Sequence, residues 1–176
     1  MKVRNLSNVA LVSLLLALTG CASTSNPDLV RSADPALVAS LKQGVAVPTI
    51  ESNGLDIADE VKAGMIQAFK TQAEKNGMVV SPAGVPVKVT VQEYNARSAA
   101  ARVLLGVLGE SDRIKARVDV SGKTYTVEDS ARSSINGIDL VAQNVGSDVA
   151  NGIATIAGVT VNTIQRVQPP PGMTTR

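Results

Sequence analysis

The sequence predicts an α+β fold, an antiparallel-rich sheet of about four to five strands with two helices packed on one face, in the order β-α-β-β-β-α. Two strand patterns and two helical ones carry that expectation. Val85, Val87, Val89 and Val91 alternate with Lys88, Thr90 and Gln92, the period of a strand with one buried face. Ile114, Ala116, Val118 and Val120 alternate in the same way with Lys115, Arg117 and Asp119. Apolar residues then recur at helical spacing from about 55 to 76 and again from about 138 to 167.

In chain order, Gly44-Val45-Ala46-Val47-Pro48-Thr49-Ile50 reads as a first short strand with Val45 and Val47 on one face. Pro48 has no N–H to give to a ladder, so it suits an edge or a strand end. Leu55 to Asn76 is the clearest helix, with Leu55, Ala58, Val61, Met65, Ala68, Phe69 and Ala73 as its stripe and Asn76-Gly77 as its stop. Met78-Val79-Val80 has the composition of a short strand, and Ser81-Pro82-Ala83-Gly84 turns the chain into the valine strand. Ser121-Gly122-Lys123 joins the Ile114–Val120 strand to Thr124-Tyr125-Thr126-Val127-Glu128 as a hairpin. In the last element Ile138, Val141, Ala142, Val145, Val149, Ile153, Ile156, Thr160 and Ile164 keep helical spacing. Gly146, Gly152 and Gly158 each weaken it by up to ~1 kcal/mol relative to alanine, which predicts a helix with breaks.

The N-terminal block has a different character. Lys2 and Arg4 precede an apolar run from Leu6 to Leu18, interrupted only by Ser7, Asn8 and Ser13. Charge followed by a short apolar core is the order of an export signal. A membrane-spanning helix would need about 20 apolar residues. The run ends in Leu18-Thr19-Gly20-Cys21, and Cys21 is the sole cysteine of the 176 residues. This motif resembles the lipobox of bacterial lipoproteins. The resemblance implies a diacylglyceryl thioether on Cys21, cleavage between Gly20 and Cys21, and N-acylation of the new amine with a chain such as palmitate. Ala22 in place of aspartate implies sorting to the outer membrane. The expected organisation is a signal peptide over 1–20, a lipidated N-terminus and tether over 21–41 with room for a short helical stretch, a single periplasmic domain over 42–167, and a Pro-rich tail over 168–176.

Composition narrows the function. Of 17 basic residues, Lys2 and Arg4 lie in the signal segment, which leaves 15 against 15 acidic ones. A neutral chain with no Trp, two Tyr and one Phe lacks both the basic field and the stacking platforms of a nucleic-acid binder. A lipid-blocked Cys21 leaves no thiol for a disulfide or a nucleophile, and the absence of histidine removes the commonest general base and metal ligand. Neither a Gly-x-Ser-x-Gly elbow nor a full Gly-x-x-x-x-Gly-Lys-Ser/Thr phosphate loop occurs. Asp56 with Glu60 and Glu128 with Asp129 are carboxylate pairs better explained by a helix dipole and a strand end. Ser130, Ser133 and Ser134 with Lys123 could form a serine–lysine dyad, but their spacing does not call for one. No catalytic residue, metal site or cofactor is expected.

The segment from Tyr94 to Asp112 is out of keeping with a strand connection, normally a few polar residues. It is long, rich in small residues and apolar, with Arg97 and Arg102 near its start. Three readings stay open: Val103, Leu104, Leu105, Val107 and Leu108 tucked under the sheet; the same residues with Arg102 as a protein contact; or a stretch at the membrane surface with Arg97 and Arg102 on lipid phosphates.

Val45-Ala46-Val47-Pro48, the helix holding Ala58 and Met65, and Gly77-Met78-Val79-Val80 resemble the opening of periplasmic domains related to the curli-secretion lipoprotein and the Tol-system N-terminal domain. Val87 to Tyr94, Arg102, Gly106, Gly109 and Ile114 to Gly122 are similar to a family of small uncharacterised outer-membrane lipoproteins of Gram-negative bacteria. The likeness covers roughly Lys42 to Val167 and implies the fold more than an activity. The expected function is a lipid-anchored, periplasm-facing, non-enzymatic binding or scaffolding module with a protein partner in the envelope. Its rivals are an accessory subunit of a transport or secretion complex, and a lipid- or glycan-binding protein with a pocket lined by the Val85–Val91 face.

Overall fold

A computed structural model of the chain describes residues 34–98, 110–131 and 137–162. The elements are α1 (Pro35–Gln43), β1 (Thr49–Glu51), α2 (Asp59–Lys75), β2 (Val87–Asn95), β3 (Asp112–Val120), β4 (Lys123–Ala131) and α3 (Gly137–Ile156). The strands form one sheet in the order β1-β2-β3-β4, with β1 parallel to β2 and the other pairs antiparallel. The α+β expectation holds, with four strands and with α2 and α3 packed together over the sheet. A third helix, α1, stands where the sequence suggested tether. Asp34 caps it by accepting from the Ala36 N–H at 3.0 Å, Pro35 presets its first turn, and Leu41 enters the core. The folded unit therefore includes residues upstream of 42.

β2 and β3 follow their alternation. Val87, Val89, Val91, Ile114, Ala116, Val118 and Val120 are all buried beneath the helices. The β2 pattern stops at Gln92 because the register shifts there: Val91 pairs with Ala116 and Glu93 with Lys115. The extra residue is a bulge that turns Glu93 outward and Tyr94 inward, opposite Ile114. The β3–β4 hairpin closes through Ser121 and Gly122 at φ 49° and 82°, the primed turn that matches strand twist. Asp119 Oδ1 accepts from the Gly122 N–H at 2.9 Å.

The stretch before β1 departs from the expected strand. Val45 is buried but Val47 is 37% exposed, so the two do not share a face. Val45 lies between Val80 and Val85, bonded through its own amide to Val79 and through its carbonyl to Ser81, and only Thr49–Glu51 forms a regular strand. The Met78–Val80 segment contributes a single bridge, with Val79 55% exposed.

Helix α2 starts at Asp59 rather than Leu55, with Asp59 and Glu60 in its first turn, where the helix dipole favours acid. Both long helices end on a left-handed glycine. Met78 N–H bonds Ala73 O and Gly77 N–H bonds Glu74 O; Val159 N–H bonds Ala154 O and Gly158 N–H bonds Thr155 O. These are the paired bonds of a Schellman cap. Gly158 thus ends α3 at Ile156, well short of 167, while Gly146 and Gly152 lie inside an unbroken helix. Neither is a break. A Cβ at Gly146 would overlap the Met65 backbone carbonyl, and one at Gly152 would overlap the Tyr125 ring. They are the points where α3 touches α2 and β4.

Polar groups tie the ends together. Tyr125 Oη donates to Val149 O at 2.6 Å. Buried Gln72 donates to Asn76 Oδ1 and Asn162 O, Asn76 donates to Asn151 Oδ1, and the Asn162 N–H and side-chain amide bond Asn76 and Lys75. The chain beyond α3 is thereby sealed onto the end of α2. The outer face of the sheet is charged, with Lys88–Glu51 at 2.8 Å, Lys115–Glu93 at 3.2 Å, and Arg113 bridging Glu93 and Glu128.

Two results should follow. Gly146→Ala should lower stability by roughly 1–3 kcal/mol through overpacking, whereas Gly64→Ala, whose Cβ finds only Ala142 at 3.9 Å, should raise it by up to ~1 kcal/mol; urea midpoints distinguish them. Burial first, then the Asp148 carboxylate, hold the Tyr125 phenol protonated well above its ordinary value near 10. A proton bound more tightly folded than unfolded contributes stability that is whole below about pH 10 and lost as pH rises further. Tyr125→Phe should lose about 1 kcal/mol at neutral pH and show a flatter alkaline decline.

Candidate interaction site

At the end of β2 the chain leaves the sheet and returns at β3, and its root is tightly built. Asn95 Nδ2 donates to Glu110 Oε2 and Ser111 O, both at 3.1 Å. The Arg97 N–H bonds Asp112 Oδ1 at 2.7 Å, its Nη2 bonds Asp112 Oδ2 at 3.0 Å, and the same Nη2 reaches Ala131 O at 3.2 Å. The two charged side chains are 6% and 0% exposed. One guanidinium thus joins the exit of β2, the start of β3 and the end of β4. Charge-assisted bonds from a planar fork are strong and directional, as a buried pair requires.

This placement corrects one expectation. Arg97 is committed to the interior and does not stand out to meet lipid phosphates. Arg102, Val103, Leu104, Leu105, Val107 and Leu108, the candidate contact residues, lie outside the described residues, as do Gly20 and Cys21.

The other end of the sheet receives the chain from the N-terminal side. A shallow groove of about 540 Å³ runs there between α1 and the hairpin turn, lined by Asp34, Leu37, Val85, Pro86 and Lys123 among others. The nine-residue strands rise about 3.3 Å per residue, so Asp34 and the root at Arg97 are separated by roughly 30 Å. Of the valine face only Val85 reaches the groove. Val87, Val89 and Val91 are core and do not line it.

The remaining sequence candidates are scattered. Asp56 and Glu60 are exposed, with Asp56 outside α2. Glu128 faces outward onto Arg113, while neighbouring Asp129 faces inward and accepts from Asn144 Nδ2 at 2.8 Å. Adjacent strand residues point to opposite faces, so these carboxylates cannot work as a pair. Lys123 and Ser130 are seven residues apart along β4, roughly 23 Å, and Ser133 and Ser134 lie outside the described residues. In the open Lys88–Glu51 pair each partner stabilises the other's charge, lowering the Glu51 pKa and raising that of Lys88. Among the described residues no cluster of metal-ligating side chains occurs, and no helix is long and apolar enough to cross a membrane.

No protein-family model matches the chain, and no curated protein matches it. Among solved structures, the PelC dodecamer from Paraburkholderia phytofirmans is similar at a TM-score of 0.47 and 15% identity, over 75% of this chain and 96% of that one. A leucine-to-methionine variant of the same dodecamer is similar at a TM-score of 0.43 and 16% identity, over 62% and 85%.

Removing the Arg97 side chain would take the compensating guanidinium from the buried Asp112 carboxylate, which keeps the backbone N–H of residue 97 on Oδ1. Arg97→Ala should therefore destabilise the chain by roughly 3–5 kcal/mol, while Arg97→Met with Asp112→Leu should recover most of that loss. Chemical denaturation of both variants is the check, and an equal loss in both would refute the ion pair's role.

Proposed function

We propose that the chain is a lipid-anchored protein of the cell envelope that faces the periplasm and works as a non-enzymatic binding or scaffolding module. Cys21 carries the diacylglyceryl and N-acyl chains once the segment ending at Gly20 is removed, and Ala22 sends the protein to the outer membrane. A lipid with two or more acyl chains holds a domain on a bilayer without a spanning helix.

The observation that supports a contact role for the 96–111 stretch is its root. A loop that must order itself on binding loses affinity to entropy, whereas one fixed at both ends loses less. Arg97, Asp112 and Asn95 provide that fixing. Arg102, Val103, Leu104, Leu105, Val107 and Leu108 then form the partner surface. A protein partner is favoured over a bilayer, because Arg97 is occupied inside and Arg102 is the one other cation between Ala96 and Ser111. Anchor and contact are separate handles, joined to opposite ends of the strands. A lipid- or glycan-binding role draws no support from the valine face, which is core.

Crosslinking in intact cells should capture a defined protein with the native chain, and roughly tenfold less with Leu104→Asp/Leu105→Asp, the ratio expected for a loss of about 1.4 kcal/mol. Equal capture would sink the assignment of the surface. Cys21→Ser should abolish fatty-acid labelling, and a labelled variant would overturn the anchor.

A further inference from the structure

The chain contains Asn-Gly steps at 53–54, 76–77, 136–137 and 151–152. Asparagine is a chemically labile side chain, most of all before glycine, where no Cβ shields the next backbone nitrogen from the side-chain carbonyl carbon. Whether a step reacts then depends on how firmly the fold holds both groups. Asn136 lies outside the described residues, and the other three steps sit in contrasting surroundings.

Asn76 is buried. Its Nδ2 donates to Asn151 Oδ1 at 3.0 Å, and its Oδ1 accepts from Gln72 Nε2 and from the Asn162 N–H. The nitrogen that would attack it is occupied too, since the Gly77 N–H bonds Glu74 O at 2.9 Å. Gly152 is buried inside α3, with the Tyr125 ring where a Cβ would stand, and its N–H belongs to the helical ladder. Both steps are locked.

Asn53–Gly54 is open. Ser52 O accepts from the Leu55 N–H at 2.9 Å, and the two residues between have φ 51° and 80°. That is a primed turn, which prefers Asn-Gly for its left-handed positions and so accounts for the pair structurally. The same turn leaves both residues exposed, and a Cβ built on Gly54 would meet nothing within 4 Å. Among the described residues nothing takes up the Gly54 N–H or the Asn53 side chain.

We propose that Asn53 is a site of spontaneous backbone modification, converting through a succinimide to isoaspartate and aspartate, while the fold preserves Asn76 and Asn151. The Gly54 nitrogen bonds to Asn53 Cγ as the side-chain Cγ–N bond breaks, and the amide leaves as ammonia with the proton that Gly54 gave up. Water, the sole co-reactant, then adds to one of the two ring carbonyls. Opening at Cγ gives aspartate. Opening at the main-chain carbonyl gives isoaspartate, which routes the backbone through Cβ and Cγ and leaves a carboxylate on the former main-chain carbon. The added methylene and charge fall directly after β1, the sheet's shortest strand, which is held by three paired residues. The reaction requires neither the anchor nor the partner surface.

The test incubates the full chain, as its host produces it, at mildly alkaline pH in water enriched in heavy oxygen and maps its peptides by mass. The Asn53 peptide should exchange amide nitrogen for heavy oxygen roughly tenfold faster than the Asn76 and Asn151 peptides, because a protected site reacts only in molecules that open locally. An isoaspartyl methyltransferase with a labelled methyl donor should mark that peptide. In guanidinium chloride the three rates should converge. Equal rates in the folded chain, a difference that survives in guanidinium chloride, an Asn53 that reacts only once unfolded, or a product that is aspartate alone would each overturn the proposal.

Discussion

Close approach of backbones, made possible by small residues, is the constraint on which this fold rests. The sequence supplies one Phe, two Tyr and no Trp, so large rings cannot fill the space between helices and sheet. The core is built from Val, Ile, Ala and Met, and such side chains fill a layer only if the layers lie near one another. Gly146 lets α3 rest on the Met65 carbonyl of α2, and Gly152 admits the Tyr125 ring. The tyrosine is then held at both faces, its ring against the glycine and its hydroxyl on the Val149 carbonyl. The glycines weaken α3 as an isolated helix and strengthen it as part of the molecule. Here packing outweighs propensity.

That inversion explains what the sequence could and could not reveal. The valine strand, the hairpin and the stop at Asn76-Gly77 were legible because each depends on residues near one another in the chain. Two parallel readings of glycine were possible at 146 and 152, and local pattern offered only the destabilising one. Gly158 was a stop by the same signal as Gly77, but residues beyond it, Thr160 and Ile164 among them, kept helical spacing and masked it. The bulge at Gln92 was hidden because nothing in Gln-Glu-Tyr specifies an extra residue. Its effect, Tyr94 facing inward, belongs to the pairing with Ile114.

The root of the 96–111 stretch was only half legible. The stretch stood out by its length and apolar character, but Arg97 looked like a surface cation. Its partner, Asp112, lies fifteen residues on, and its third contact is a backbone carbonyl on β4. No sequence spacing announces such a pair; only the antiparallel return of β3 brings it together. The charged outer face was visible as the polar half of each alternation, whereas its cross-strand pairing through Arg113 required the register.

The positions of Asp34 and Ser98 at opposite ends of β2 also decide how the molecule carries load. A pull applied between them runs along the strands. Hydrogen bonds between antiparallel neighbours lie across that direction, so they are strained side by side and must yield together rather than open one after another. β2 lies between β1 and β3, and its exit is stitched to both β3 and β4 by Arg97. A domain drawn from these two points is loaded in shear, its most resistant geometry, and would hold as a mechanical link where the same sheet, pulled from one end, would peel.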